Sequence, residues 1–259
     1  MTVAPSTDRV SGESEAFSPV PTSRIVGMLV ARTLLFLAFQ AVIAGLLLAI
    51  GSTAAWTDAG AWWPIAVTAA NLVMLALLVR VTRLEDRSLR TIYAPDRSTL
   101  KGDLLFTLLL VVLALPAAMI PNIGLATVLF GDPQIAFDMF VQPLPLWAAL
   151  IALVAFPLTI ALTELPTYFG YVQRRLAEAG HRAWVVIVVP ALFLALQHVA
   201  MPLLFDWRFA LWRALMFLPF ALLLGWGVRR RPGVLPYLLI VHFLLDLQVG
   251  VMVLMASVG

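Results

Sequence analysis

Residues 146–173 read LWAALIALVAFPLTIALTELPTYFGYVQ, an apolar run carrying a single carboxylate, Glu164. At 1.5 Å per residue a helix over this stretch is about 42 Å long, more than the roughly 30 Å of hydrocarbon in a bilayer. Six further runs have the same character, at about 25–50, 62–80, 103–120, 183–204, 210–228 and 234–257. The whole chain of 259 residues is 62% hydrophobic and 12% charged, with a mean hydropathy of +0.99. Soluble domains carry about 25% charged residues. The fold class is therefore all-α, a polytopic transmembrane helical bundle of seven to eight spans. The count turns on 121–146, where Ile123–Phe130 is apolar but short and Pro133, Pro143 and Pro145 interrupt the residues after it. That piece reads as a surface helix, a re-entrant segment or an eighth span.

Residues 1–23 are rich in Ser, Thr, Pro and Glu and lack apolar periodicity. They read as a disordered cytoplasmic tail, with the membrane domain covering 24–259. The first run, from Thr33 to Ile50, exceeds the roughly 7–15 residues of a signal-peptide core and reads as an uncleaved span. Basic residues recur in alternate loops: Arg83, Arg87, Arg90, Arg97 and Lys101, then Arg174, Arg175 and Arg182, then Arg229, Arg230 and Arg231. The positive-inside rule puts these loops and the amino terminus in the cytoplasm of a cell with this protein in its plasma (inner) membrane. An eighth span would break the alternation.

The sequence pI is about 9.8, but the net charge is only +3 and the basic residues lie between spans, so no nucleic-acid surface is expected. The expected partners are the bilayer and a peptide or protein substrate. The absence of cysteine excludes disulfides, thiolate metal sites and a cysteine nucleophile. Trp56, Trp62, Trp63, Trp147, Trp184 and Trp207 lie near span ends and read as interfacial anchors.

Four titratable side chains stand out inside the spans: Glu164, His198, His242 and Asp246. An Asp, Lys or Arg at the centre of a membrane helix costs about 2.5–3.5 kcal/mol or more, so such groups mark functional sites by default. Glu164 lies about 14 Å in from the cytoplasmic border, and His242 falls at a similar depth. His198 sits deeper, and Pro190 bends its helix. His242 and Asp246 are four residues apart and share a helical face. Pro166 removes a backbone donor next to Glu164, and Gly170 permits close helix contact.

One carboxylate and two imidazoles can activate water in two ways. Glu164, His198 and His242 can form a zinc site with an open position for water. Without metal, Glu164 can take a proton from a water that His198 holds, while His242 and Asp246 stabilise an oxyanion. Gln40, Asn71, Gln197 and Gln248 read as interhelical hydrogen bonds, with Gln197 pointing away from His198.

Three segments carry a family resemblance: Thr163-Glu164-Leu-Pro-Thr-Tyr-Phe-Gly170-Tyr171, Leu194-Ala-Leu-Gln-His198 and His242-Phe-Leu-Leu-Asp246. Their order and spacing resemble the CPBP intramembrane proteases, which include the type II CAAX prenyl endopeptidases and the Abi proteins. The resemblance covers about 146–250. It implies that Glu164 activates water, with His198, His242 and Asp246 as the other catalytic groups. Leu165 stands where the family has a second glutamate, Phe169 where it has arginine, and Leu194 where it has phenylalanine. The function expected is intramembrane peptide hydrolysis near the cytoplasmic face, with or without zinc. Two alternatives remain: a non-catalytic membrane scaffold or bacteriocin-immunity-type protein, and a proton-coupled transporter.

Overall fold

The computed structural model describes residues 20–259. Most of the segment read as a tail, residues 1–19, lies outside them. Helix α1 (Thr22–Ala49) begins two residues before the expected boundary, because the Pro21 carbonyl accepts from the Arg24 and Ile25 amides and opens the first turn there. A short α2 (Ala55–Ala61) leads into α3 (Trp63–Arg83), and α4 (Arg90–Tyr93) lies in the basic loop after α3.

Seven helices among the described residues are long and apolar enough to cross a membrane. The third settles the span count. Helix α5 runs from Leu100 to Phe130, through Pro116 and Pro121, so Ile123–Phe130 extends one long span and forms no eighth. A proline removes one donor and bends a membrane helix without ending it. What holds the extension is tertiary: the Trp212 Nε1–H lies 3.1 and 3.0 Å from the backbone and side-chain oxygens of Asn122. Gly131, at φ +81°, turns the chain into α6 (Pro133–Phe140), whose first turn is capped by the Asp132 carboxylate.

The fourth span starts as α7 (Leu146–Ala161), widens into π-type turns over Pro166–Val172 and closes as α8 (Gln173–Glu178). The fifth is α9 (Ala183–Leu196), ending in a tight 3₁₀ turn at Gln197–Ala200. The sixth joins α10 (Trp207–Met216) to α11 (Leu218–Arg230), and the last is α12 (Leu235–Val258). Gly250 of α12 faces the α7 backbone; a Cβ there would lie 3.2 Å from the Leu153 Cα. That close approach sets α12 along α7 and brings His242 opposite the end of α7.

One end of the bundle is tied by charge. Glu85, after α3, accepts from Arg24 at 3.1 Å, Arg175 at 2.7 Å and the Tyr171 hydroxyl at 2.5 Å. Large leucines cover the outer faces of α1 and α5, as a lipid-facing surface requires. Trp147, Trp184 and Trp207 are exposed, in keeping with anchors. Trp63 is not one: it is buried, stacks on Phe140 at 4.6 Å and donates to the Phe140 carbonyl. Its indole fills the core between α3, α6 and α7.

Candidate active site

The break in the fourth span begins with a missing donor. Pro166 cannot donate to the Leu162 carbonyl four residues back. The Tyr93 hydroxyl, reaching in from α4, donates to that oxygen at 2.6 Å. The next carbonyl, that of Thr163, keeps its backbone bond from the Thr167 amide at 2.9 Å and also accepts from the Thr167 hydroxyl at 2.5 Å. Glu164 and Leu165 thus sit where the helix changes pitch, with the freed Leu162 oxygen answered.

Burial pushes the Tyr93 phenol up from 10.0 to about 12. It remains a protonated donor through the physiological range. The folded state holds this proton more tightly than the unfolded chain, so the stability it contributes is complete below pH 10 and declines as the pH rises from 10 toward 12. Tyr93→Phe leaves a buried carbonyl unanswered, and a loss of about 1–3 kcal/mol is expected in denaturant titration. In the same assay the variant should lack this part of the alkaline decline; an unchanged profile would remove Tyr93 as its source.

Glu164 is almost wholly buried, 2% exposed, and its two oxygens have different neighbours. Oε2 accepts from Arg32 Nη2 at 3.2 Å and from Gln197 Nε2 at 2.7 Å. Arg32, fully buried on α1, also donates to Gln197 Oε1 at 2.9 Å, Asn71 Oδ1 at 2.8 Å and Thr163 Oγ1 at 2.8 Å. Tyr168 donates to the same Gln197 oxygen at 3.0 Å. One guanidinium thereby joins α1, α3 and the fourth and fifth spans around the carboxylate.

Oε1 faces the other way. It lies 3.2 Å from His242 Nε2, which in turn lies 3.3 Å from Asp246 Oδ2. These approaches bring charge together, but the groups are not aligned for hydrogen bonding. His242 Nε2 and Asp246 Oδ2 are buried polar atoms with no hydrogen-bond partner. Orphaned groups of this kind are uncommon in folded proteins and call for a specific reason.

His198 lies beside this cluster without bonding to it. Its Nδ1 faces the Leu194 carbonyl at 2.8 Å; because a carbonyl only accepts, Nδ1 carries the proton and Nε2 is the acceptor of the neutral ring. The ring packs on Phe217 at 4.0 Å. Arg213 donates to the carbonyls of His198 at 3.2 Å and Met201 at 2.9 Å, satisfying backbone oxygens that the ending helix leaves free. Asp246 is a conceivable partner for Arg213 by sequence; the bonds found go to these carbonyls and to the Met216 sulfur.

The structure brings Glu164, His242 and Asp246 into contact, while His198 forms no hydrogen bond or ion pair with any of them. One expectation needs correction, the zinc set. Among the described residues no three His, Cys, Asp or Glu side chains form a group able to hold a metal ion. Glu164, His198 and His242 do not fit zinc as placed, since the His198 ring bonds to backbone carbonyls of its own helix and forms no hydrogen bond or ion pair with the other two. Gln197 makes the interhelical hydrogen bonds expected of it, and they fall on the site itself: its amide meets Glu164 and Arg32.

Arg32 is a site residue that sequence reasoning misses. Its signal is present, a charge eight residues past Arg24 inside an apolar run, but a single arginine near the start of a first span is equally compatible with a flanking charge. No family model, curated protein or solved structure matches the chain. Any functional reading therefore stands on the three motifs and the geometry around Glu164.

Proposed function

We propose that this chain is an intramembrane endopeptidase of the kind the motifs resemble, acting near the cytoplasmic face of the plasma (inner) membrane with its amino terminus inside. The observation that carries the reading is the unsatisfied His242 Nε2, 3.2 Å from Glu164 Oε1 and wholly buried. A water or a peptide carbonyl placed there would meet a carboxylate oxygen and an imidazole together. Because Oε2 is occupied by Arg32 and Gln197, Oε1 is the oxygen that receives the proton.

In this mechanism water attacks the scissile carbonyl carbon and its proton passes to Glu164 Oε1. A protonated His242 sets its positive charge between the carboxylates of Glu164 and Asp246. That imidazolium, backed by Asp246, faces the developing oxyanion. His198 Nε2 accepts a hydrogen bond from the attacking water. The proton on Glu164 then moves to the leaving nitrogen as the C–N bond breaks. Arg32 occupies the role of a counter-charge that Phe169 cannot provide.

The scaffold alternative draws on one specific observation, the two donors already on Glu164 Oε2, as expected of a purely structural ion pair. The two readings separate in proteoliposomes containing the purified protein and synthetic transmembrane peptides. Hydrolysis predicts paired peptide fragments by mass spectrometry, at a rate unchanged when a proton gradient is collapsed. Intact peptides throughout would sink the endopeptidase reading, and dependence on the gradient would point to transport.

A further inference from the structure

A cavity of about 130 Å³ lies between α5, α11 and α12. Its wall includes Ala114 and Ala118 of α5, Leu224 of α11, Val241 and His242 of α12, and Leu165 from beside Glu164. Apart from His242, every lining side chain is apolar. Only 11% of the most apolar window of α5 is buried, so the α5 wall is the peripheral one and borders lipid. We propose that this cavity is a substrate pocket that takes one apolar side chain, of leucine to phenylalanine size, next to the bond cleaved. The proposal rests on the endopeptidase reading and names the specificity of that site.

Three observations support it. The first is chemical. His242 is nine-tenths buried, lines the cavity and has an unpartnered Nε2. That nitrogen faces Glu164 Oε1 and Asp246 Oδ2 behind an apolar cavity wall, so an apolar side chain held in the cavity comes up against the reacting groups. The second is size. Apolar cavities of about 150 Å³ hold one benzene-sized group. The present volume matches a single side chain and is too small for the long isoprenoid chain that the family resemblance raises.

The third is Leu165, which is 1% exposed. The related motif carries a carboxylate at this position; here the residue is apolar and helps close the cavity beside His242. An ionised group without a partner would be costly in these surroundings. The substitution thus turns a wall next to the reacting groups from charged to apolar. A residue with a charged side chain would be rejected there, and a small one would leave the space unfilled.

The test uses alanine/leucine-rich transmembrane peptides of twenty residues with Gly, Ala, Leu, Phe or Asp at one central position. In proteoliposomes the intact protein should cut the Leu and Phe peptides roughly 10–200-fold faster than the Ala and Asp peptides. Ala118→Phe fills the cavity from α5, away from the reacting groups. It should abolish that preference, bringing the Leu and Phe peptides down to the rate of the Ala peptide. An unchanged preference in Ala118→Phe, or cleavage of all five peptides at equal rates by the intact protein, would overturn the pocket.

A second arm does not depend on turnover. The peptide then carries photo-leucine at the central position and is irradiated with the Glu164→Gln protein. Cross-links should map to α5, α11 and α12 around the cavity and vanish in Glu164→Gln/Ala118→Phe. Cross-links that map elsewhere, or persist, would overturn the pocket. Cross-links in the cavity with no cleavage by the intact protein would retain the pocket and sink the endopeptidase reading alone.

Discussion

Arg32→Met is expected to lower stability by about 3–5 kcal/mol, the usual cost of removing one partner from a buried ion pair. The guanidinium is fully buried and its loss strands acceptors on four side chains: Glu164, Gln197, Asn71 and Thr163. Arg32→Lys should recover little, since a single ammonium cannot reach four acceptors that a planar fork meets together. The informative variant is Arg32→Met with Glu164→Gln. Removing both charges eliminates the uncompensated carboxylate, so the double variant should be clearly more stable than Arg32→Met alone. Denaturant titration in micelles reads all three. Additive losses, with a coupling below about 0.5 kcal/mol, would show that the 3.2 Å ion pair carries no special energy.

Glu164→Gln is expected to reduce peptide cleavage by about 10²–10⁴-fold, the span attributed to a positioned general base. The amide keeps the side chain's shape, and its one oxygen can still accept from Gln197. It cannot take a proton from water at Oε1. Because the substitution also leaves Arg32 without a counter-charge, loss of folding could imitate loss of chemistry. The double variant resolves this: it should be folded and still inactive. Cleavage fragments counted by mass spectrometry, beside a melting curve for each variant, give both quantities. A folded Glu164→Gln protein with undiminished turnover would make the Glu164–Arg32 pair architectural and favour the scaffold.

The two variants probe opposite oxygens of one carboxylate, and the sequence speaks unevenly about the two sides. The Oε1 side is legible. Helical spacing puts His242 and Asp246 on one face, and charge inside apolar runs singles out Glu164. Their motif order suggests that they meet, and they do, within 3.2 and 3.3 Å. The Oε2 side is not. Gln197 reads as an interhelical hydrogen-bonding residue and is one, but spacing along its own helix does not name Glu164 and Arg32 as its partners. Trp63 shows the same limit: its position near a span end is compatible with an interfacial anchor, but packing between α3, α6 and α7 buries it.

The same division holds for the spans. Hydrocarbon thickness imposes runs of about twenty apolar residues whatever the packing, so seven to eight spans can be counted from composition alone. The basic loops then favour an odd number. Where α5 ends is beyond that logic, since Pro116 and Pro121 permit either a bend or a stop. The contact between Asn122 and Trp212 makes the choice.

Fold class and the presence of Glu164, His198, His242 and Asp246 within apolar spans therefore follow from the chain by itself, because lipid leaves few alternatives for apolar runs and few excuses for charge within them. The counter-charge, the orientation of Gln197 and the cavity at Leu165 belong to the tertiary structure. A buried guanidinium needs acceptors, but any carboxylate at its depth would serve; only the packing of α1 and α3 against the broken fourth span determines that Arg32 meets Glu164. Likewise a single leucine in a motif does not define a pocket until α5, α11 and α12 leave an unfilled space against it.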